Sequence, residues 1–237
     1  MQLFLTNFKL NNDEIIIENL EMINQIKKVL RLSKGDNICV QDVNEPKNRY
    51  EIKIKDMDKC RLIGYIGKVN KLENNDKEKT MIIAMPNKRD KIEIIVQKLT
   101  EIGIDNIIFW PSERSVVKSR NIDKFSRLEK IAKEAVEQSW GNKLPKISFS
   151  KNIIEIKNSY LMVFDKISEN IKFKTNNNLL NKSKKIIGLI GPEGGLTEKD
   201  YKYLNDDVSK IISLGENILR METASIIAGW IIKNDLY

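Results

Sequence analysis

The 237-residue chain contains no histidine. That absence excludes Ser-His-Asp hydrolysis, histidine-assisted RNA cleavage and histidine-ligated zinc. Any general base must then be a carboxylate, Lys, Tyr, Cys or solvent. Cysteine is scarce as well. Cys39 and Cys60 stand in apolar, strand-like contexts without metal or redox spacing, so both read as reduced core residues. There is no GxxxxGK[ST] phosphate loop and no GxGxxG turn after the first strand, which argues against a P-loop nucleotidase or a Rossmann cofactor site. No apolar run approaches the roughly eighteen residues of a membrane span. Met1 to Leu10 lack the charged-then-apolar pattern of a signal segment. The expected location is the cytoplasm, with no membrane partner, and no internal repeat is visible.

Charge, by contrast, is abundant and uneven. Lys and Arg number 41 against 33 Asp and Glu, a formal net charge of +8. Residues 1–70 hold 12 basic and 10 acidic groups, whereas residues 112–151 hold 10 basic and 5 acidic. The second stretch is a candidate phosphate-facing surface, the competing reading for any single Lys being a solvated helix face. The length suits one or two domains with a sizeable core.

The organisation reads as two-part. Glu14 to Glu18 alternates weakly, Leu20 to Leu32 has helical spacing through Ile23, Ile26, Val29 and Leu30, and a Ser33-Lys34-Gly35-Asp36 turn follows. Asn37 to Val43, Arg49 to Met57 and Arg61 to Val69 then read as successive strands, which predicts a small β-barrel-like domain. The polar stretch Lys71 to Lys79 is the linker candidate. After it, Thr80 to Ala84 reads as a strand. Lys88 to Ile102 reads as a helix with Ile92, Ile95, Val96, Leu99 and Ile102 on one face, stopped by Gly103. Ile107 to Trp110 is the next strand, and a helix runs from about Ile122 to Ser139. Tyr160 to Phe164 and Ile186 to Ile190 are strands, and residues 168–185, rich in Lys and Asn, read as a mobile excursion between them. Thr197-Glu198-Lys199-Asp200 resembles a capping box with Asp in the Glu position, and a final helix holds Thr223 to Lys233. Strands alternating with helices predict a parallel α/β sheet.

Two glycine-marked turns near the end of the chain are the most informative features. Leu189-Ile190-Gly191-Pro192-Glu193-Gly194-Gly195 follows the apolar run Ile186 to Ile190. Leu214-Gly215-Glu216-Asn217-Ile218-Leu219-Arg220-Met221-Glu222-Thr223-Ala224 follows the run Val208 to Leu214. A buried parallel strand that breaks into such a turn delivers a loop to a ligand crevice. The glycines let main-chain N–H and C=O groups meet a ligand edge. Chemistry alone leaves two readings of the first turn, a ligand loop or an ordinary strand-to-helix connection.

The two turns together, in order and spacing, resemble the signature loops of the SPOUT methyltransferases. They are closest to the family that methylates N3 of a uridine in 16S ribosomal RNA of the small subunit. Upstream stretches also match that family: Gln97-Lys98-Leu99-Thr100-Glu101-Ile102-Gly103, Glu113-Arg114-Ser115, Glu134-Ala135-Val136-Glu137-Gln138-Ser139, Leu144-Pro145, and Val29-Leu30-Arg31-Leu32 with Gly35-Asp36. The resemblance covers nearly the whole chain. Two departures stand out. Where the family usually places an Arg after the Glu-Gln-Ser stretch, this chain has Trp140-Gly141-Asn142, leaving Lys143 to carry the charge without the planar fork. The histidine common before the Val-Leu-Arg stretch is also absent.

The resemblance implies an α/β protein with a PUA-like β-barrel that binds RNA at residues 1–72. Residues 78–237 would form a SPOUT α/β domain with a parallel sheet and a trefoil knot, one of the rare exceptions to unknotted chains. It further implies a homodimer, 16S rRNA of the small subunit as partner, and S-adenosylmethionine as methyl donor with no metal. The donor would be contacted by Leu189, Ile190, Gly191, Glu193, Gly194, Leu214, Gly215, Ile218 and Leu219. Arg220 is the catalytic candidate, a guanidinium able to hydrogen-bond a uracil carbonyl and stabilise charge as the N3 proton leaves. Glu222 is the second, as proton acceptor or as the group that orients Arg220. The competing reading of this pair is an ion pair capping the final helix, and Glu193 is the alternative acid. Arg31, Lys98, Arg114, Gln138 and Lys143 are the RNA-contact candidates. Another RNA acceptor, whether transfer RNA or a ribose 2′-OH, and a noncatalytic ribosome-assembly role are the alternatives.

Overall fold

The computed structural model describes residues 1–73, 76–117, 125–150, 159–166, 183–204 and 208–237. The Lys- and Asn-rich excursion over 168–182 and the first turn of the helix expected from Ile122 lie outside them. The chain divides into two compact units, Met1–Asn74 with Val136–Leu144, and Asn75–Ala135 with Pro145–Tyr237.

The first unit is built on one six-stranded sheet. Its strands are β1 (Leu3–Leu5), β2 (Lys9–Asn11), β3 (Glu14–Ile17), β4 (Asn37–Gln41), β5 (Asn48–Met57) and β6 (Leu62–Lys71), in the order β1-β4-β5-β6-β3-β2. β1 pairs with β4 in parallel and every other pair is antiparallel. Alternation along the strands divides the apolar residues between two faces. Phe4, Ile15, Ile17, Ile38, Val40, Ile52 and Ile54 share one core with Met22, Ile23 and Ile26. Leu3, Leu5 and Cys39 point the other way, onto Val136 and Leu144 of the same unit.

The expected helix over Leu20 to Leu32 is shorter and looser. Asn19 caps α1 (Leu20–Asn24) through a hydrogen bond from the Met22 N–H, and the chain then widens into a π-turn over Gln25–Val29. Burial pushes the Cys39 thiol up to about 11, so it is inert core. Cys60 corrects the sequence expectation. It is exposed on the β5–β6 turn, where Asp58 accepts hydrogen bonds from the Cys60 and Arg61 N–H groups. An Asx turn governs its position rather than strand burial.

The second unit contains β7 (Glu78–Ala84), α2 (Arg89–Ile102), β8 (Asn106–Trp110), most of α3 (Phe125–Ser139), β9 (Lys146–Phe149), β10 (Tyr160–Phe164), β11 (Lys185–Ile190), α4 (Glu198–Leu204), β12 (Val208–Ile212) and α5 (Met221–Lys233). Its sheet runs β12-β10-β11-β7-β8-β9 and is parallel throughout, as the alternation of strands and helices predicted. β10 is buried along its whole length and β11 from Ile186 onward, which is why both appear as continuous apolar runs. α5 lies close over β11: a Cβ on Gly188 would collide with Ile232 and come within 2.8 Å of the Met81 sulfur. Among the described residues no helix is long and apolar enough to cross a membrane.

Candidate functional site

The carboxyl ends of β7, β10, β11 and β12 open into one cleft. The chain order β7, β8, β9 grows outward in one direction, whereas β11 and β10 stand on the other side of β7. A crevice forms at such a reversal in an open parallel sheet. The cleft encloses about 770 Å³, within the roughly 300–1,000 Å³ common for small-molecule sites. Asn87, Lys88 and Lys91 line it from the segment after β7, and Phe164, Asp165 and Lys166 from the end of β10. Residues 190–193 and 195 come from the first glycine turn, and residues 213–215, 217–221 and 224 from the second. Gly195 and Gly215 have φ of +74° and +110°, a backbone region in which a side chain is strained even where there is room for it.

Of the residues proposed for the donor, Ile190, Gly191, Glu193, Leu214, Gly215, Ile218 and Leu219 line the cleft. Leu189 is buried in β11 behind it. Gly194 is turned away, and its carbonyl accepts a hydrogen bond of 2.5 Å from Arg114 Nη1. Ile218 is 92% exposed.

Arg220 stands at the N-cap of α5 with its side chain exposed in the cleft wall. Among the described residues its guanidinium has no hydrogen-bond or ion-pair partner. The capping ion pair with Glu222 does not form, because Glu222 faces Lys91 instead, at 3.6 Å from Nζ to Oε2. That separation is an ion pair but too long for a hydrogen bond, so Glu222 Oε2 is buried with no donor among the described residues. Lys91 also donates to Glu193 Oε1, and Asn87 Nδ2 donates to Glu193 Oε2 at 3.1 Å. The hydrogen bond to Glu193 is the main reason the Lys91 pKa is raised. Burial opposes the shift, and the charges of Glu193 and Glu222 add to it.

Lys91 is the site residue that motif reading missed. It is one of four charged residues, Lys88-Arg89-Asp90-Lys91, and nothing local distinguishes it. The signal that finds it is positional, the first turn of a helix entered from a parallel strand next to β11.

A second network fixes the first glycine turn from behind. Thr197 N–H donates to Asp200 Oδ2 at 3.0 Å while the Asp200 N–H donates to Thr197 Oγ1 at 3.1 Å, the reciprocal capping box expected there. Asp200 Oδ1 also accepts from the Glu113 N–H at 3.1 Å, and Thr197 Oγ1 donates to Glu113 Oε2 at 2.5 Å. Tyr201 donates to Asp165 Oδ2 at 2.6 Å; burial first, and then this carboxylate, push its phenol well above the ordinary value.

The five RNA-contact candidates do not line the cleft. Arg114 is held on Gly194, and Lys98 pairs with Glu101 along α2 at 2.8 Å. Arg31 is exposed in the first unit with φ +55°, and Gln138 and Lys143 are exposed on the 136–144 segment of that unit.

The family model for the RNA methyltransferase domain matches residues 73–233. Ribosomal RNA small subunit methyltransferase E of Bacillus subtilis (strain 168) is 33% identical over 227 residues, covering 88% of this chain and 85% of that protein. The protein of the same name from Rickettsia conorii is 31% identical, covering 92% and 88%. Among solved structures, a ribosomal RNA small subunit methyltransferase E from Neisseria gonorrhoeae, bound to S-adenosyl methionine, superposes with a TM-score of 0.77. It is 23% identical and covers 99% of this chain and 97% of that one, a likeness of fold.

Proposed function

The chain belongs to the RNA methyltransferase family, and from that membership we propose that it transfers a methyl group from S-adenosylmethionine to N3 of a uridine in 16S ribosomal RNA of the small subunit. The observation that carries this reading is Arg220, a guanidinium without a partner among the described residues, in the wall of a cleft made by two glycine loops. The names of the Bacillus and Rickettsia relatives support the acceptor, and the donor held by the gonococcal relative supports the methyl source.

The residues present fit the donor. Ile190, Leu214 and Leu219 offer apolar surface beside main-chain polar groups of the glycine turns, the combination a nucleoside needs. The donor supplies a methyl group on a positively charged sulfonium. What remains for the protein is alignment and charge. Holding the reactants in a near-attack arrangement contributes about 7–11 kcal/mol. Uridine N3 carries a proton at neutral pH, so negative charge builds on the uracil carbonyls as that proton leaves. Arg220 donates to a carbonyl there. Glu222, two residues further along the chain, has no hydrogen-bond donor on Oε2 among the described residues and accepts the proton, with the Lys91 ammonium 3.6 Å away. Glu193 is the poorer base because Lys91 and Asn87 already occupy both of its oxygens.

The same reading makes residues 1–72 a PUA-like RNA-binding barrel and residues 78–237 a knotted SPOUT domain. Insertion of β11 between β7 and β10, after the chain has already left β7 behind, supports such threading. A homodimer is supported by Ile227 and Trp230, the latter 55% exposed, on α5. Arg31, Gln138 and Lys143 are the RNA contacts, and the cytoplasm is where the acceptor is made. The test is transfer of labelled methyl to small subunits lacking the modification, with the product nucleoside identified by mass spectrometry. N3-methyluridine is expected; transfer to another atom, or none, overturns the reading.

A further inference from the structure

Trp140 closes α3 with φ +58°. Bulky residues rarely adopt this left-handed conformation, and where they do the strain points to a purpose. The local hydrogen bonds do not supply that purpose. Arg49 Nη2 donates to the Trp140 and Gly141 carbonyls at 3.1 and 3.0 Å, and Gln41 Nε2 donates to the Asn142 carbonyl at 2.5 Å. Gly141 N–H returns to the Val136 carbonyl at 3.0 Å. All of these partners are main-chain groups, which any residue at position 140 would provide, and a glycine would provide them without the strain.

What the side chain adds is a fixed aromatic surface. The Arg49 guanidinium sits 5.4 Å from the indole centroid, and Gln41 Oε1 holds Arg49 in turn, through Nε at 3.2 Å and Nη2 at 3.1 Å. Trp140 nevertheless remains 39% exposed. All of these residues belong to the first unit. A rigid, partly open indole backed by a guanidinium, with the exposed Lys143 three residues further on, suits one occupant, a flat ring attached to a polyanion.

We propose that Trp140, held by Arg49, is a stacking platform for an unpaired base of the RNA strand. The proposal rests on the RNA-methylating reading above and adds a base contact to it. Stacking accepts any base, so the platform strengthens RNA binding without selecting sequence.

The test is binding of the full-length protein to a short single-stranded oligouridine, with melting temperature measured on the same samples. Trp140→Ala should weaken binding about tenfold without changing its dependence on salt, because no charge is removed. Trp140→Phe should keep affinity within about threefold. Trp140→Gly should melt no lower than wild type, because it relieves the backbone, yet bind as weakly as the Ala variant. The proposal is overturned if Trp140→Ala binds like wild type. It is equally overturned if the wild type ignores single-stranded RNA, or if all three variants lose affinity in step with melting temperature. Binding requires no methyl transfer, so failure of ribosomal RNA as acceptor would leave this comparison intact.

Discussion

Lys91 stands between two carboxylates that differ in what else holds them: Glu193 has Asn87 as well, and Glu222 has, among the described residues, only the ammonium at 3.6 Å. Its pKa is raised above 10.5 by the hydrogen bond to Glu193. A cation with a raised value contributes fully below its unfolded pKa and loses that contribution only as pH rises through the folded one. The stability that Lys91 contributes should therefore show no step between about pH 5 and 8 and decline only in alkaline solution; denaturant unfolding of wild type against Lys91→Met across that range would reveal a step if the assignment is wrong. Arg220 acts at a different moment. Because it has no partner among the described residues, Arg220→Ala should leave donor affinity near wild type and lower kcat by about 100- to 1,000-fold. A variant that transferred methyl at the wild-type rate would remove Arg220 from the mechanism.

At the level of elements, the contact of α5 with β11 is the most demanding. Gly188→Ala would drive a methyl group into Ile232 and Met81, and overpacking of this kind costs about 1–3 kcal/mol, to be read as a lower melting temperature. At the start of α4, Thr197→Val removes the Oγ1 that accepts from the Asp200 N–H and donates to Glu113, while the main-chain N–H at position 197 keeps its bond to Asp200, with an expected loss of about 1 kcal/mol in denaturant unfolding. These elements were readable from sequence because their signals are local. β10 and β11 are continuous apolar runs, and the capping box is four adjacent residues. β1, β2 and β9 escaped notice because each has only three or four residues, and Lys9-Leu10-Asn11 has no apolar face of its own. Such strands exist because a partner strand waits for them. Lys91 was hidden for the same reason, since its role depends on which strands lie side by side.

At the scale of the whole molecule, apolar side chains left open on α5 call for a partner. Trp230→Glu should shift the protein from dimer to monomer in sedimentation, and a wild-type monomer at micromolar concentration would disprove the proposed assembly. The parallel sheet has a consequence for how the chain is made. β11 fills the centre, bonded to β7 on one side and β10 on the other, yet ribosomes deliver it long after β7. Until then the nascent unit carries β7 with one bare edge, an invitation to intermolecular pairing. Such distant pairing is also slow to form. Yield in a cell therefore turns on what guards that edge during synthesis, whether a chaperone or rapid completion of the polypeptide through residue 190.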